Sequence, residues 1–164
     1  MTYWRMQLHP DDSGDAIKHT VESLSAGFVG LDFADDVPDM LTIQKGDMPD
    51  NQSICRLFAD EMRKGDRVLL FAHHFPFALV QVAGPYNYVR QRDSELGVWF
   101  RHFRRVDDVR YYGDYVTNPE RWEKLTMTAT ITPLRDPGSK SFQLIDRWID
   151  AQLHNAADDA PRRS

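Results

Sequence analysis

The residues best equipped for chemistry gather in the middle of this 164-residue chain, in Arg90-Gln91-Arg92 and Arg101-His102-Phe103-Arg104-Arg105. Guanidinium groups at this density hold phosphates, or they pair with the carboxylates that follow, Asp107 and Asp108. The sequence leaves both readings open. If residues 98–106 form a strand, alternation puts Arg104 and Arg105 on opposite faces, so they do not share one phosphate chain. His73-His74 is the other conspicuous pair. It lacks a His-Glu-x-x-His context and a nearby set of cysteines, so it does not spell a zinc site. Glu120 and Lys124 bring acid and base into one short segment, without the paired strand acids of a nuclease. No glycine-rich phosphate loop or Gly-x-Ser-x-Gly elbow is present. The single Cys55, between Ile54 and Leu57, reads as an inert thiol on a helix, and it excludes an internal disulfide. The expectation is a non-catalytic chain without metal or cofactor.

A formal charge of −5 argues against a protein that coats nucleic acid indiscriminately. The acids concentrate early, at Asp11, Asp12, Asp15, Asp32, Asp35, Asp36 and Asp39, and the bases concentrate mid-chain. The fold should therefore have an acidic side and a basic side. Hydrophobic residues make up 41% of the chain, enough for one core in one domain. The opening residues lack the apolar segment of a signal peptide, and no apolar run approaches the roughly 20 residues of a membrane span. A cytoplasmic protein with no membrane partner is expected.

The elements that must position these groups follow from periodicity. Residues 3–8 read as a strand. Ile17, Val21 and Leu24 mark a helix that starts near Asp15 and stops at Gly27. Residues 28–33 form a short strand with Val29, Leu31 and Phe33 on one face and Phe28, Gly30 and Asp32 on the other. An acidic loop over 34–49 serves as a mobile lid or an insertion. A second helix, capped by Asp50 or Ser53, carries Ile54, Leu57, Phe58 and Met62. Gly65-Asp66 then feeds the strand Arg67–Ala72, a His73-His74-Phe75-Pro76 connection reverses the chain, and a second strand ends at Gly84-Pro85. A loop over 85–93, strands over 98–106, 109–116 and 126–132, and a helix carrying Phe142, Ile145, Trp148, Ile149 and Leu153 complete the domain, 1–154. Residues 155–164 read as a disordered tail or linker. Strands outnumber helices and the late ones lack helical crossovers, which predicts an α+β fold with a curved mixed sheet.

Several segments in this order resemble one superfamily. Tyr3-Trp4-Arg5-Met6 is similar to the first strand of EVE-type domains, and Gly27-Phe28-Val29-Gly30-Leu31-Asp32-Phe33 looks like the second strand of EVE and YTH domains. Lys64-Gly65-Asp66-Arg67-Val68-Leu69-Leu70-Phe71 resembles their Gly-Asp strand, and Leu79-Val80-Gln81-Val82-Ala83-Gly84 the strand after it. Arg101-His102-Phe103-Arg104-Arg105-Val106 is similar to the basic strand of EVE-like modules in modification-dependent restriction systems, such as the N-terminal domains of McrB-type proteins. The resemblance covers roughly residues 3–150. It implies a PUA-like barrel with flanking helices that reads a modified base, flipped from DNA or presented by RNA, in an aromatic cage. The chain departs from the pattern where these families place a tryptophan in or just after the second strand. Here that strand offers only Phe28 and Phe33, and the loop over 34–49 has no counterpart.

A flipped base needs rings on its faces and fixed polar groups at its edge. The resemblance nominates Trp4, Phe28, Phe33, Phe75, Tyr86 and Trp99 as rings and Asp32, His73 and His74 as edge readers. It nominates Lys64, Arg90, Arg92, Arg101, Arg104 and Arg105 as phosphate contacts. Trp4 and Phe33 equally suit the core, Asp32 a turn cap, and Phe75 a cover over the barrel end. The implied function is the specificity module of a restriction or defence system, acting on modified double-stranded DNA beside a separate nuclease or motor. An RNA-cleaving enzyme using His73, His74 or Lys64, or a small-ligand or protein-interaction domain, are the alternatives.

Overall fold

The computed structural model describes residues 1–8, 13–31, 37–44, 53–72, 74–91, 100–113, 124–127 and 129–158. Its order is β1 (Tyr3–Gln7), α1 (Ser13–Ser25), β2 (Phe28–Leu31), α2 (Ser53–Asp60), β3 (Arg67–Ala72), β4 (Phe75–Tyr88), β5 (His102–Tyr111), β6 (Ile131–Leu134) and α3 (Lys140–Asp158). The six strands form one curled sheet in the order β2-β5-β4-β3-β1-β6, a half-barrel. β1 runs parallel to β3 and every other pairing is antiparallel, so the sheet is mixed and the fold α+β, as expected.

Each face of the sheet carries its own core. Trp4, Met6 and Leu8 of the first strand region, with Val68, Leu70 and Ala72 of β3, turn toward Leu24 of α1 and Cys55, Phe58 and Ala59 of α2. Leu69 and Phe71, the alternate residues of β3, pack with Leu144 and Ile145 of α3 and with Leu125 and Met127. β3 is therefore buried on both faces, which is why Arg67–Ala72 reads as an apolar run without alternation. Tyr3 and Phe142 join β1 to α3 with ring centroids 4.7 Å apart. Burial and the hydrogen bond from its hydroxyl to Asp146 (2.9 Å) push the Tyr3 phenol up to about 12.

The Gly65-Asp66 turn locks β1 to β3. Gly65 has φ +92°, a conformation glycine adopts without penalty. Asp66 is 3% exposed, and its carboxylate accepts three hydrogen bonds: from the Thr2 amide (2.7 Å), the Trp4 indole Nε1 (2.9 Å) and the Arg63 amide (2.9 Å). Trp4 is thus a core residue whose polar atom is already used.

The later strands depart from the sequence expectation. β4 does not stop at Gly84-Pro85 but runs on to Tyr88. Between Val82↔Val106 and Tyr86↔Arg104 it advances four residues while β5 advances two, so a bulge absorbs Pro85, which is exposed and owes the ladder no N–H. The strands expected over 98–106 and 109–116 are one, β5. At the gap expected between them lies a second bulge, where β5 advances three residues from Arg110 to Asp107 against two on β4. Asp108 occupies it at φ +46°, in the left-handed region that Asp tolerates better than most residues. The strand expected over 126–132 is displaced to Ile131–Leu134, and its Pro133 lies on an edge strand. The last helix extends to Asp158, so 155–158, expected in the tail, are helical. Glu120, paired with Lys124 in the sequence reading, lies outside the described residues. Among the described residues no helix is long and apolar enough to cross a membrane.

Asp66→Ala should lower the unfolding free energy by about 3 kcal/mol or more, because it strands a buried indole N–H and two amides. Urea denaturation would measure this; a loss under about 0.5 kcal/mol would show that the turn does not lock the two strands.

Candidate functional site

The register brings three strand ends together, with Leu31 opposite His102 and His102 opposite Tyr88. On the face toward α1 and α2, this end is closed by a polar chain. The Tyr86 hydroxyl lies 2.8 Å from His102 Nδ1, and His102 Nε2 lies 3.1 Å from the Val37 carbonyl oxygen. A carbonyl only accepts, so His102 carries its proton on Nε2 and Nδ1 accepts from Tyr86. The Tyr86 oxygen in turn accepts the Met40 amide (3.1 Å). Burial pushes the Tyr86 phenol well above its ordinary value, which keeps it a donor. Arg56 of α2 donates to the carbonyls of Met40 (2.9 Å) and Ile43 (2.7 Å). Val37 and Met40 are buried. The part of the acidic loop that is described, 37–44, is thus docked on the sheet, held by side chains from β4, β5 and α2.

Arg104 is buried beneath the same end, 3% exposed. Its Nε donates to the Phe58 carbonyl (2.9 Å), one Nη to the Ala59 carbonyl (2.8 Å) and the other to Gly84 (3.2 Å), and the guanidinium stands 5.6 Å from the Phe58 ring centre. The first two acceptors lie in the last turn of α2, where carbonyls lack helical partners and attract a cation. Burial, reinforced by the nearby Arg63 cation, brings Arg104 down to about 10, so it stays charged at neutral pH. This corrects its expected role: Arg104 binds helix and bulge carbonyls and cannot reach a phosphate.

The opposite face of β2 and β5 is different. Phe28 pairs with Arg105 and Gly30 with Phe103. Phe28 packs edge-on against Phe103 (6.0 Å) and Phe100 (6.3 Å). Gly30 is required here, since a Cβ would lie 2.4 Å from the Phe100 Cβ. Arg105 and Arg90 are exposed and make no hydrogen bond or ion pair among the described residues. Arg101, half-buried, lies beside Arg90 in the ladder through the Val89 amide on its carbonyl (2.9 Å). The expected competition from Asp108 does not reach these arginines. Its carboxylate is taken by Arg110, which contacts both oxygens (2.9 and 2.6 Å), and by Arg67. Partial burial opposes ionisation of Asp108, but these hydrogen bonds outweigh it and hold the carboxyl below the usual carboxylate range.

The expected site residues therefore divide. Phe28, Arg90, Arg101 and Arg105 share the β2–β5–β4 end. Tyr86 lies at the same end on the inner face, committed to His102 and Met40. His74 and Phe75 lie at the far end of the 14-residue β4, roughly 40 Å of strand away, where the His74 carbonyl accepts the Leu125 amide. Lys64 is exposed in the turn before β3. Trp4 is in the core. Asp32, Phe33, His73, Arg92 and Trp99 lie outside the described residues. Phe100, Phe103 and His102 were not singled out from sequence. Phe103, which alternation places on one strand face with Arg101 and Arg105, had that signal; Phe100 falls on the other face by alternation and had none.

Compared with known protein families, the chain matches no family model, and compared with curated proteins it has no match.

Arg104→Lys should cost about 3 kcal/mol or more, since a lysine cannot serve three divergent carbonyls. Arg105→Lys should change stability by no more than about 0.5 kcal/mol. Paired urea denaturation curves measure both, and equal losses would contradict the inward and outward assignment.

Proposed function

We propose that this chain is a non-catalytic reader of nucleic acid whose contact surface is the outer face of β2 and β5. The observation that carries the reading is the cross-strand pair of half-buried Phe28 and exposed Arg105, which has no partner among the described residues, with half-buried Phe103 beside it and Arg90 at the same sheet end. Rings next to the guanidinium groups of Arg105 and Arg90 suit a base and its phosphate, the rings offering stacking and the cations a backbone clamp. The resemblance to EVE-like modules extends the proposal to a modified base in DNA and to service as the specificity module of a restriction or defence system, with a nuclease or motor supplied separately.

The place of base capture differs from the sequence expectation. Among the described residues the face toward α1 and α2 is filled by Trp4, Met6, Met40, Phe58 and Tyr86, and the segment 37–44 covers it. A base held by this chain would sit at the outer sheet end, beside Phe28. Of the groups named for the enzyme alternative, Lys64 precedes β3 and His74 follows it, and His73 lies outside the described residues. A protein- or small-ligand-binding role is the second reading, favoured by the filled inner face and the net negative charge.

Fluorescence anisotropy with plain and modified duplexes at two salt concentrations tests the proposal. Phe28→Ala should abolish any preference for the modified duplex while leaving the fold intact by circular dichroism. Arg105→Ala should weaken both duplexes equally and lower the salt slope by about one. Absence of binding to any oligonucleotide at low salt would move the assignment to the second reading.

A further inference from the structure

On the α3 face, away from Phe28 and Arg105, a half-open cleft of about 300 Å³ lies between β1, the 124–127 segment and the start of α3. Its walls include Arg5, Lys124, Lys140, Ser139, Ser141 and Leu125. Three of these are cations and none is a carboxylate. Lys124 and Lys140 are exposed and form no ion pair among the described residues.

Three polar side chains in the wall have donors to spare. Arg5 gives one Nη to the Thr126 carbonyl (3.1 Å), which fixes its guanidinium, and its other Nη makes no hydrogen bond among the described residues. Ser141 is 3% exposed, and its hydroxyl makes no hydrogen bond among the described residues. Ser139 caps the 19-residue α3, accepting the Phe142 amide on its hydroxyl oxygen (3.4 Å), which leaves the hydroxyl proton available. The first N–H groups of the helix also lack intrahelical acceptors and point outward along its axis. Asp136, the nearest acid in sequence, spends its carboxylate on the Gly138 amide (2.9 Å) and is not part of the wall.

We infer that this cleft binds a phosphomonoester. A dianionic phosphate matches three cations in the lining and the surplus of donors over acceptors. The volume exceeds that of a phosphate alone and lies at the lower end for small-ligand sites. The buried Leu125 side chain offers an apolar wall to the organic part of the ligand. The same terminal phosphate occurs on a small phosphorylated metabolite and on the 5′ end of a nucleic-acid strand.

The full chain is titrated with inorganic phosphate, with a nucleoside monophosphate, and with a short oligonucleotide with and without a 5′-phosphate, at constant ionic strength set with chloride. Calorimetry or ¹H–¹⁵N spectra follow binding. Saturable phosphate binding is expected, weakened about tenfold or more by Lys124→Gln plus Lys140→Gln, the loss expected for a charge-assisted contact. Both lysines are exposed, so the double variant should fold, and an unchanged circular dichroism melt checks this. Preference for the 5′-phosphorylated oligonucleotide identifies a strand end as the source; binding of the monophosphate alone identifies a metabolite. Phosphate effects no larger than those of chloride, or affinity unchanged in the double variant, overturn the site. Arg105→Ala should leave phosphate affinity unchanged, so this site and the outer-face reading fail separately.

Discussion

A single inward-facing cation, Arg104, holds the architecture around the candidate site. Its three donors gather the last turn of α2 and the β4 bulge at Gly84 onto β5. A guanidinium has five donors in a rigid fork, and carbonyls at a helix C-terminus are the neutral acceptors best suited to it. The contact is stabilising because each buried acceptor would otherwise go unmet. Through α2 the effect reaches further. Arg56 on that helix holds the carbonyls of Met40 and Ile43, and Tyr86, just past the bulge, holds the Met40 amide and His102. Segment 37–44 is docked as a consequence of where α2 and β4 are held.

The inward turn of Arg104 also dictates what faces out. On a strand, neighbours alternate, so Arg104, Val106 and His102 on the inner face require Phe103 and Arg105 on the outer one. Phe28 and Gly30 meet them across the ladder. Phe100 packs closely on Gly30 and is buried, so it supports the patch without exposing its ring. Asp108 could neutralise outer arginines, but its bulge conformation turns its carboxylate to Arg67 and Arg110. The free cations beside the rings therefore result from two strand irregularities and one buried charge.

Much of the frame was legible in the sequence. The helices announced themselves through Ile17, Val21 and Leu24, through Leu57 and Phe58, and through Phe142, Ile145 and Trp148. The Gly-Asp turn and the apolar run of β3 were equally plain. The β4–β5 region was not, because Gly84-Pro85 and the Asp107-Asp108 pair look like stops. Bulges let a strand continue through both: Pro85 is exposed, and Asp108 tolerates positive φ. Arg104 was misread because a charged residue in a basic stretch suggests solvent. The counter-signal was its shared face with Val106, a core residue. His74 and Phe75 seemed to belong with Tyr86 only because strand length cannot be judged before the bulge is known.

The central claim is that β5 divides its arginines between scaffold and surface, and that the surface half meets nucleic acid. Amide chemical-shift mapping of the full chain with an oligonucleotide duplex that carries no terminal phosphate tests it most directly. The account requires shifts concentrated at Phe28, Gly30, Phe103, Arg105 and Arg90, with the amides around His74 and the β1–β6 edge unmoved. Shifts centred on the His74 hairpin, or a spectrum unchanged by saturating duplex at low salt, would contradict it.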